Sequence, residues 1–212
     1  MWDDRRDANG MGTPGDARLE AELRAFLAHW DACRKGRDVP NRSDIDPRRI
    51  APLLSSTFIV ERIAPGVVRL RLAGMDLGDL MGMDVRGMPL CSFIAPESRA
   101  EFARHLVDLF DGPAIARLAL RSRASIGRPA LAGTMLLLPL RSDLGDISRA
   151  LGCLVTHGPI GRPARRFDIE SVSVQPLSAT TKPAALTVIA GTGTRTAATN
   201  AARLRGHLRI VS

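Results

Sequence analysis

Residues 113–156, PAIARLALRSRASIGRPALAGTMLLLPLRSDLGDISRALGCLVT, predict three β-strands in succession. The residues between them, IGRP at 126–129 and SDLGD at 142–146, are rich in the Gly, Pro and Asp that turns require. Connections this short cannot make a parallel crossover, so the three strands should form an antiparallel meander.

The three strands differ in how far their two faces are buried. Residues 114–123 alternate apolar side chains with arginines, which predicts a half-buried edge strand. Residues 131–140 and 150–156 are apolar at nearly every position, so both of their faces must be covered. These two strands are therefore predicted to be central.

Two further strands are predicted upstream, at residues 57–63 and 67–72, joined by Ala64-Pro65-Gly66. In the second of them Val68, Leu70 and Leu72 are expected to face inward while Arg69 and Arg71 face out, which predicts another edge strand. Residues 73–111 between the two blocks contain helical patterns and should cross one face of the sheet. The predicted fold class is α+β, with a five-stranded antiparallel sheet, a helical crossover on one face and an N-terminal helix.

Charge and composition divide the chain into three parts. Residues 1–16 are polar and lack a signal-peptide core, and residues 17–160 should form one domain. Residues 161–212 hold 8 of the 30 Lys and Arg residues but only 2 of the 22 Asp and Glu residues. We therefore expect a disordered N-terminus, one nearly neutral domain and a basic, mostly disordered tail, in a cytoplasmic protein without a membrane span.

Residues 17–34 form the clearest helix, and its apolar residues follow a spacing of four and three. Such a stripe either packs on the outer face of the sheet or pairs with a second copy of itself. Its members are the candidate dimer or partner face: Leu19, Leu23, Phe26 and Trp30.

The segment that follows this helix is dense in charged residues and turn formers. Asp46 before Pro47 predicts an N-cap and a first-turn proline that open a short helix. Arg42 beside Asp44 predicts a structural ion pair rather than an acid–base device.

Two groups of residues resemble a known family. The first group is Trp30, Arg34, Gly36, Pro40, Arg42, Asp44, Asp46, Pro47 and Ile50; the second is Arg71, Leu72, Ala73, Gly74, Gly82, Asp84 and Gly87. Together with the order of predicted elements, they resemble the stand-alone PAS-domain proteins of alphaproteobacteria over residues 19–158. The resemblance implies a regulatory module that binds small ligands or partner proteins in signal transduction, usually as a homodimer, and it implies no reaction.

The same resemblance places a ligand pocket between the crossover and the sheet. Methionines cluster at the start of the crossover, where they either line a pocket that adapts to apolar ligands or fill gaps in a dry core. The candidate pocket residues are Met75, Leu80, Met81, Met83, Met88, Phe93, Phe102, His105, Leu106 and Leu109. PAS haem sensors carry their iron ligand on the corresponding helix, but one histidine beside an apolar stripe is weak evidence, so no cofactor is predicted.

Other chemistries find little support in the sequence. Cys33, Cys91 and Cys153 are widely spaced and form no CxxC pair, and no paired carboxylates or triad can be placed on converging elements, so neither a metal site nor an enzyme is predicted. The alternative function is nucleic-acid binding through the basic tail, which would be non-specific and sensitive to salt.

Overall fold

The structure is a computed structural model that describes residues 14–177. Three α-helices are present in this part of the chain: α1 (Pro14–Cys33), α2 (Met75–Met81) and α3 (Arg99–Asp111). The strands are β1 (Thr57–Ala64), β2 (Val67–Ala73), β3 (Ala114–Ser122), β4 (Leu131–Arg141), β5 (Ile147–His157) and β6 (Asp168–Pro176). Short 3₁₀ helices lie at Arg42–Asp44, Pro47–Ser56, Leu90–Phe93 and Pro96–Ser98.

The six strands form one antiparallel sheet in the order β2-β1-β5-β4-β3-β6. The predicted α+β class, the N-terminal helix and the helical crossover are confirmed. The central positions of β4 and β5 and the edge position of β2 are confirmed as well. The predicted count of five strands is wrong, because β6 extends the sheet beyond β3.

The position of β3 corrects the expectation of an edge strand. The arginines in and directly after β3 lie beside acidic side chains, and Arg121 and Arg123 also remain exposed to solvent. Arg117 pairs with Glu20 of α1, and Arg123 Nε lies 2.8 Å from Asp168 Oδ2 of β6. The alternating pattern therefore identified the polar face of β3 correctly. It did not show whether that face meets solvent, charged neighbours or both.

The sheet also runs beyond the expected end of the domain at residue 160. Arg165 and Phe167, which precede β6, are both fully buried. The predicted tail is thus ordered from residue 161 to residue 177 in a way that its composition did not indicate. The predictions of disorder for residues 1–13 and 178–212 lie outside the described residues.

Each face of the sheet carries its own apolar layer. The inner layer packs α2, α3 and the segments between them against one face, and includes Phe58, Leu70, Phe102 and Leu118. The outer layer packs α1 and the 3₁₀ helix Pro47–Ser56 against the other face. Burial of both faces of β4 and β5 follows from this arrangement, as their continuous apolar sequence predicts.

The stripe of α1 belongs to the outer layer, which corrects its assignment as a dimer face. Leu19, Leu23, Phe26 and Trp30 are all buried, and they pack with strand residues such as Leu138. The Trp30 indole N–H donates to the Pro139 carbonyl of β4 at 2.9 Å. The first of the two alternatives therefore holds: the stripe covers the chain's own sheet and is not available to a second copy.

Candidate functional site

The residues predicted to form an interior pocket belong mostly to the inner core. Leu80, Met81, Phe93, Phe102, Leu106 and Leu109 are buried, and Met88 packs against the same cluster. Met75 and Met83 instead point outward, with 72% and 59% of their surface exposed. The methionine cluster is therefore split between core filling and surface, and it does not form one pocket wall.

His105 lies on α3 at the edge of this core. Its Nε2 atom is 3.9 Å from Glu101 Oε1 and its Nδ1 atom is 4.0 Å from Asp108 Oδ2, both on the same helix. Nδ1 is buried and has no hydrogen-bond partner among the described residues. These contacts do not test haem binding, and the expectation that no cofactor binds stays a prediction.

A concave site with a partly apolar lining lies on the opposite face of the sheet. It is a groove of about 640 Å³ between the 3₁₀ helix Pro47–Ser56 and strands β1 and β2, and we call it the outer groove. Its lining residues are Arg42, Ser43, Ile45, Pro47, Ile50, Leu54, Thr57, Phe58, Ile59, Leu72, Ala73, Gly74, Arg86 and Leu151. This groove was not expected from the sequence.

An irregularity in β2 supplies one wall of the outer groove. Ile59 pairs with Leu72 while Val60 pairs with Leu70, so Arg71 is an extra residue that forms a β-bulge. The bulge turns Leu72 to the outer face, where half of its surface is exposed. The prediction that Leu72 faces inward with Leu70 is wrong for this reason.

The polar end of the outer groove is formed by Arg42. Asp44 does not pair with Arg42 as predicted; it accepts hydrogen bonds from Lys35 Nζ at 3.1 Å and from Arg37. These partners, with the Asn41 backbone N–H, hold the pKa of the Asp44 carboxyl below its usual range, the Lys35 hydrogen bond contributing most. Arg42 is left with a buried Nε that has no partner among residues 14–177.

Asp46 performs the capping role that its sequence context predicts. Its side chain accepts a hydrogen bond from the Arg48 backbone N–H at 3.0 Å, and Pro47 is the first residue of the 3₁₀ helix that follows. The cap fixes where this helix begins and thereby positions the wall of the outer groove that carries Leu54, which is 47% exposed.

Gly74 joins the two walls of the outer groove at close range. A Cβ atom at this position would lie 2.1 Å from the Ser55 carbonyl oxygen, a distance that only a residue without a side chain permits. The Gly74 N–H also donates to the Thr57 carbonyl at 2.8 Å. Asp76, in the first turn of α2, accepts the hydroxyl hydrogen bond of Ser55 at 2.9 Å, which closes the junction.

The third contribution to the outer groove comes from the loop after α2. Gly87, in the left-handed region with φ of +80°, donates its N–H to the Leu70 carbonyl at 2.7 Å and holds the loop on the free edge of β2. Arg86 makes a two-pronged ion pair with Asp84, which lowers the pKa of that carboxyl to about 2. Arg86 therefore lines the outer groove while its positive charge is compensated by Asp84.

The sequence did contain a signal for this site. The segments 42–47, 71–74 and 82–87, on which the family resemblance rests, lie far apart in the chain and all contribute to the outer groove. Their convergence could not be inferred from sequence, because it depends on the β-bulge and on the edge pairing of the loop. No group of three or more potential metal ligands occurs in the described part of the chain, and none of its helices is long and apolar enough to cross a membrane.

The sheet, with helices on both faces and a groove beside its edge hairpin, defines a binding domain. The chain belongs to the PAS domain family, whose model matches residues 19–155. PAS domains are generally sensory modules without catalytic activity. No curated protein matches the chain.

Several solved structures are similar to the chain at low identity. The light state of the blue-light photoreceptor Aureochrome1 LOV is 13% identical, with a TM-score of 0.38 over 52% of this chain and 88% of that one. A light-oxygen-voltage domain studied with a flavin analogue is 16% identical, with a TM-score of 0.37 over 52% and 83% of the two chains. An RNA-binding light-oxygen-voltage receptor is 18% identical, with a TM-score of 0.37 over 55% of this chain and 35% of that one. Similarity at this level says nothing about what this chain binds.

Proposed function

We propose that this PAS domain is a non-enzymatic regulatory module that acts by binding an apolar, acidic segment of a partner protein in the outer groove. The observation that carries the proposal is Arg42, whose buried Nε has no partner at the end of an apolar groove. A buried donor without an acceptor is costly, and a carboxylate from a partner would satisfy it.

The apolar part of the partner is inferred from the floor and walls of the outer groove. Leu54 and Leu72 are 47% and 50% exposed on either side of it, and Ile59 lies between them. Apolar side chains that are exposed next to one another indicate an interaction surface more often than single exposed ones do.

A protein partner fits this surface better than a small molecule. Two further apolar side chains are exposed at the tip of the β1–β2 hairpin, Ile63 (49%) and Val67 (44%), and the Arg71–Glu61 ion pair lies between them and the outer groove. A small ligand in an enclosed pocket would not need these residues, whereas a segment of a partner protein can cover them together with Leu72.

The charge around the outer groove favours an acidic partner. Arg48 and Arg49 are exposed on the 3₁₀ helix beside Arg42, and none of the three forms an ion pair among the described residues. Like charges in this arrangement raise the local positive potential, which would attract and orient a negatively charged segment.

A comparison of three variants tests the proposal. The wild type and the variants would be immobilised and exposed to lysate of the cells that express the protein. Leu72→Glu should abolish capture of a specific partner, and Arg42→Gln should weaken it, while Ile126→Glu, at a position 96% exposed in the β3–β4 turn, should leave it unchanged.

Two outcomes would contradict the proposal. Equal capture by all three variants would show that the partner binds elsewhere. Capture of a second copy of this chain, lost in Leu72→Glu, would make the outer groove a homodimer interface and not a partner site. Homodimerisation itself, the cytoplasmic location and the bacterial origin stay predictions, as does nucleic-acid binding by residues 178–212, which lie outside the described part.

A further inference from the structure

A second concave site, polar in character, lies at the β3 side of the sheet. It has a volume of about 420 Å³ and is bounded by the end of β3, the β3–β4 turn and the segment that leads into β6. We call it the arginine cleft, and its lining residues are Ala95, Glu97, Ser122, Arg123, Ala124, Ser125, Arg128, Ala164, Arg166 and Asp168.

A fully buried arginine lies directly behind the arginine cleft. Arg165 is 0% exposed, and its guanidinium donates to Ser122 Oγ at 3.2 Å, to the Ile160 carbonyl at 2.7 Å and to the Pro129 carbonyl at 2.6 Å. All three acceptors are neutral, and the guanidinium has no carboxylate within ion-pair distance in residues 14–177. Burial lowers the pKa of Arg165, and the nearby charge of Arg128 lowers it further.

A buried cation of this kind lacks the counter-charge that such groups usually have. A guanidinium remains protonated in proteins, so Arg165 cannot escape the cost of burial by losing its proton. An anion placed nearby would therefore interact favourably with the uncompensated positive charge of Arg165.

Ser122 connects the buried charge to the arginine cleft. It is only 5% exposed, it lines the cleft, and its Oγ accepts the hydrogen bond from Arg165 Nε. A hydroxyl that accepts one hydrogen bond still has its own proton to donate. None of the hydrogen bonds within the described residues uses that proton, so it is free for a ligand in the cleft.

The mouth of the arginine cleft adds further donors. Arg166 is exposed and has no ion-pair or hydrogen-bond partner for its side chain among the described residues, and Arg128 uses only Nη2, on the Pro163 carbonyl at 3.0 Å. The carboxylate of Asp168 is neutralised by Arg123 at 2.8 Å, which leaves the exposed Glu97 as the other acid of the lining. Four guanidinium groups at and behind the cleft thus outnumber two carboxylates.

We propose that the arginine cleft binds the phosphate group of a small phosphorylated molecule, through the Ser122 hydroxyl and the guanidinium groups of Arg128 and Arg166. A phosphate offers acceptor oxygens in several directions, which matches donors that approach from the β3 end, the β3–β4 turn and the β6 approach. The volume of the cleft exceeds that of the phosphate alone, so the rest of the molecule would lie against Ala95, Ala124 and Ala164.

A titration of the full chain, followed by amide NMR, tests this site with two probes, inorganic phosphate and glucose 6-phosphate. Saturable shifts should appear at residues 122–125 and 164–167, and glucose 6-phosphate should bind more tightly than inorganic phosphate. Arg166→Gln should weaken binding of both probes about tenfold, because one charge-assisted hydrogen bond is lost. The Arg166 side chain is exposed and makes no hydrogen bond or ion pair in the described part, so this variant should keep the wild-type spectrum elsewhere.

Arg104→Gln is the matched control, since Arg104 is exposed on α3 and the substitution removes the same charge. Equal weakening by both variants would show general electrostatic attraction and overturn the proposal. Shifts that do not saturate, or binding unchanged in both Arg166→Gln and Arg128→Gln, would overturn it as well. Binding of single-stranded RNA but of neither small probe would assign the cleft to a polyanion and refute the small-molecule ligand.

Discussion

Replacing Phe26 by alanine should destabilise the domain without changing its oligomeric state. Phe26 is 1% exposed in the outer layer, where it packs with Ile50 and Leu53 beneath α1. Removing a buried phenylalanine ring costs about 3–5 kcal/mol, which combines the lost transfer free energy with the cavity left behind. For a domain of this size the loss corresponds to a drop in melting temperature of about 6–20 °C.

The assay is urea denaturation followed by tryptophan fluorescence, together with light scattering. Trp30 is buried on the same helix and donates to the Pro139 carbonyl, so its emission should report loss of the α1 packing. Arg24→Ala, at an exposed position of α1, is the control and should change the free energy of unfolding by less than about 0.5 kcal/mol. A Phe26→Ala variant with wild-type stability but a changed mass would refute the reasoning and return the stripe to an interface between copies.

Three further predictions follow from the packing and the charges. Gly74→Ala should lower the free energy of unfolding by at least about 1–3 kcal/mol, because its Cβ would meet the Ser55 carbonyl oxygen at 2.1 Å; wild-type stability in a urea titration would contradict this. Burial raises the pKa of the Cys153 thiol to about 12, so Cys153 should react with Ellman's reagent at pH 8 only after unfolding, and fast native reaction would be inconsistent with its burial. Asp44 has a lowered pKa, chiefly from Lys35, so its carboxylate stabilises the fold above its unfolded pKa of about 3.9 and loses this effect as pH falls through the lower folded value. Asp44→Asn should therefore be less stable than the wild type at pH 7, with a difference that shrinks towards pH 3; a constant difference would argue against the charge as its source.

The central part of the sheet was predictable because its strands have a nearly continuous apolar sequence. A strand that is apolar at nearly every position, such as β4, can only be stable with both faces covered, and this also requires an element like α1 on the outer side. The N-cap at Asp46 was predictable for a similar reason, since it depends on neighbours in sequence.

The outer groove and the arginine cleft depend on features that local patterns do not encode. One inserted residue, Arg71, moves Leu72 to the opposite face of the sheet, and the apolar–polar alternation of the sequence does not reveal the insertion. Likewise, whether Asp44 pairs with Arg42 or with Arg37 depends on the path of the chain from Arg37 to Asp44. The arginines before β6 looked like part of a solvated tail because the burial of Arg165 requires acceptors from three separate segments.

Photo-cross-linking from inside the outer groove tests the central claim most directly. One variant of the full chain would carry a photoreactive phenylalanine analogue in place of Leu72, and a control variant would carry it in place of Ile126. Both variants would be produced in the cells that express the protein. The account predicts an adduct with a partner protein at position 72, mapped to a segment with apolar and acidic side chains, and no such adduct at position 126. The same adduct at both positions, or none at position 72, would contradict the assignment of the outer groove as the binding surface.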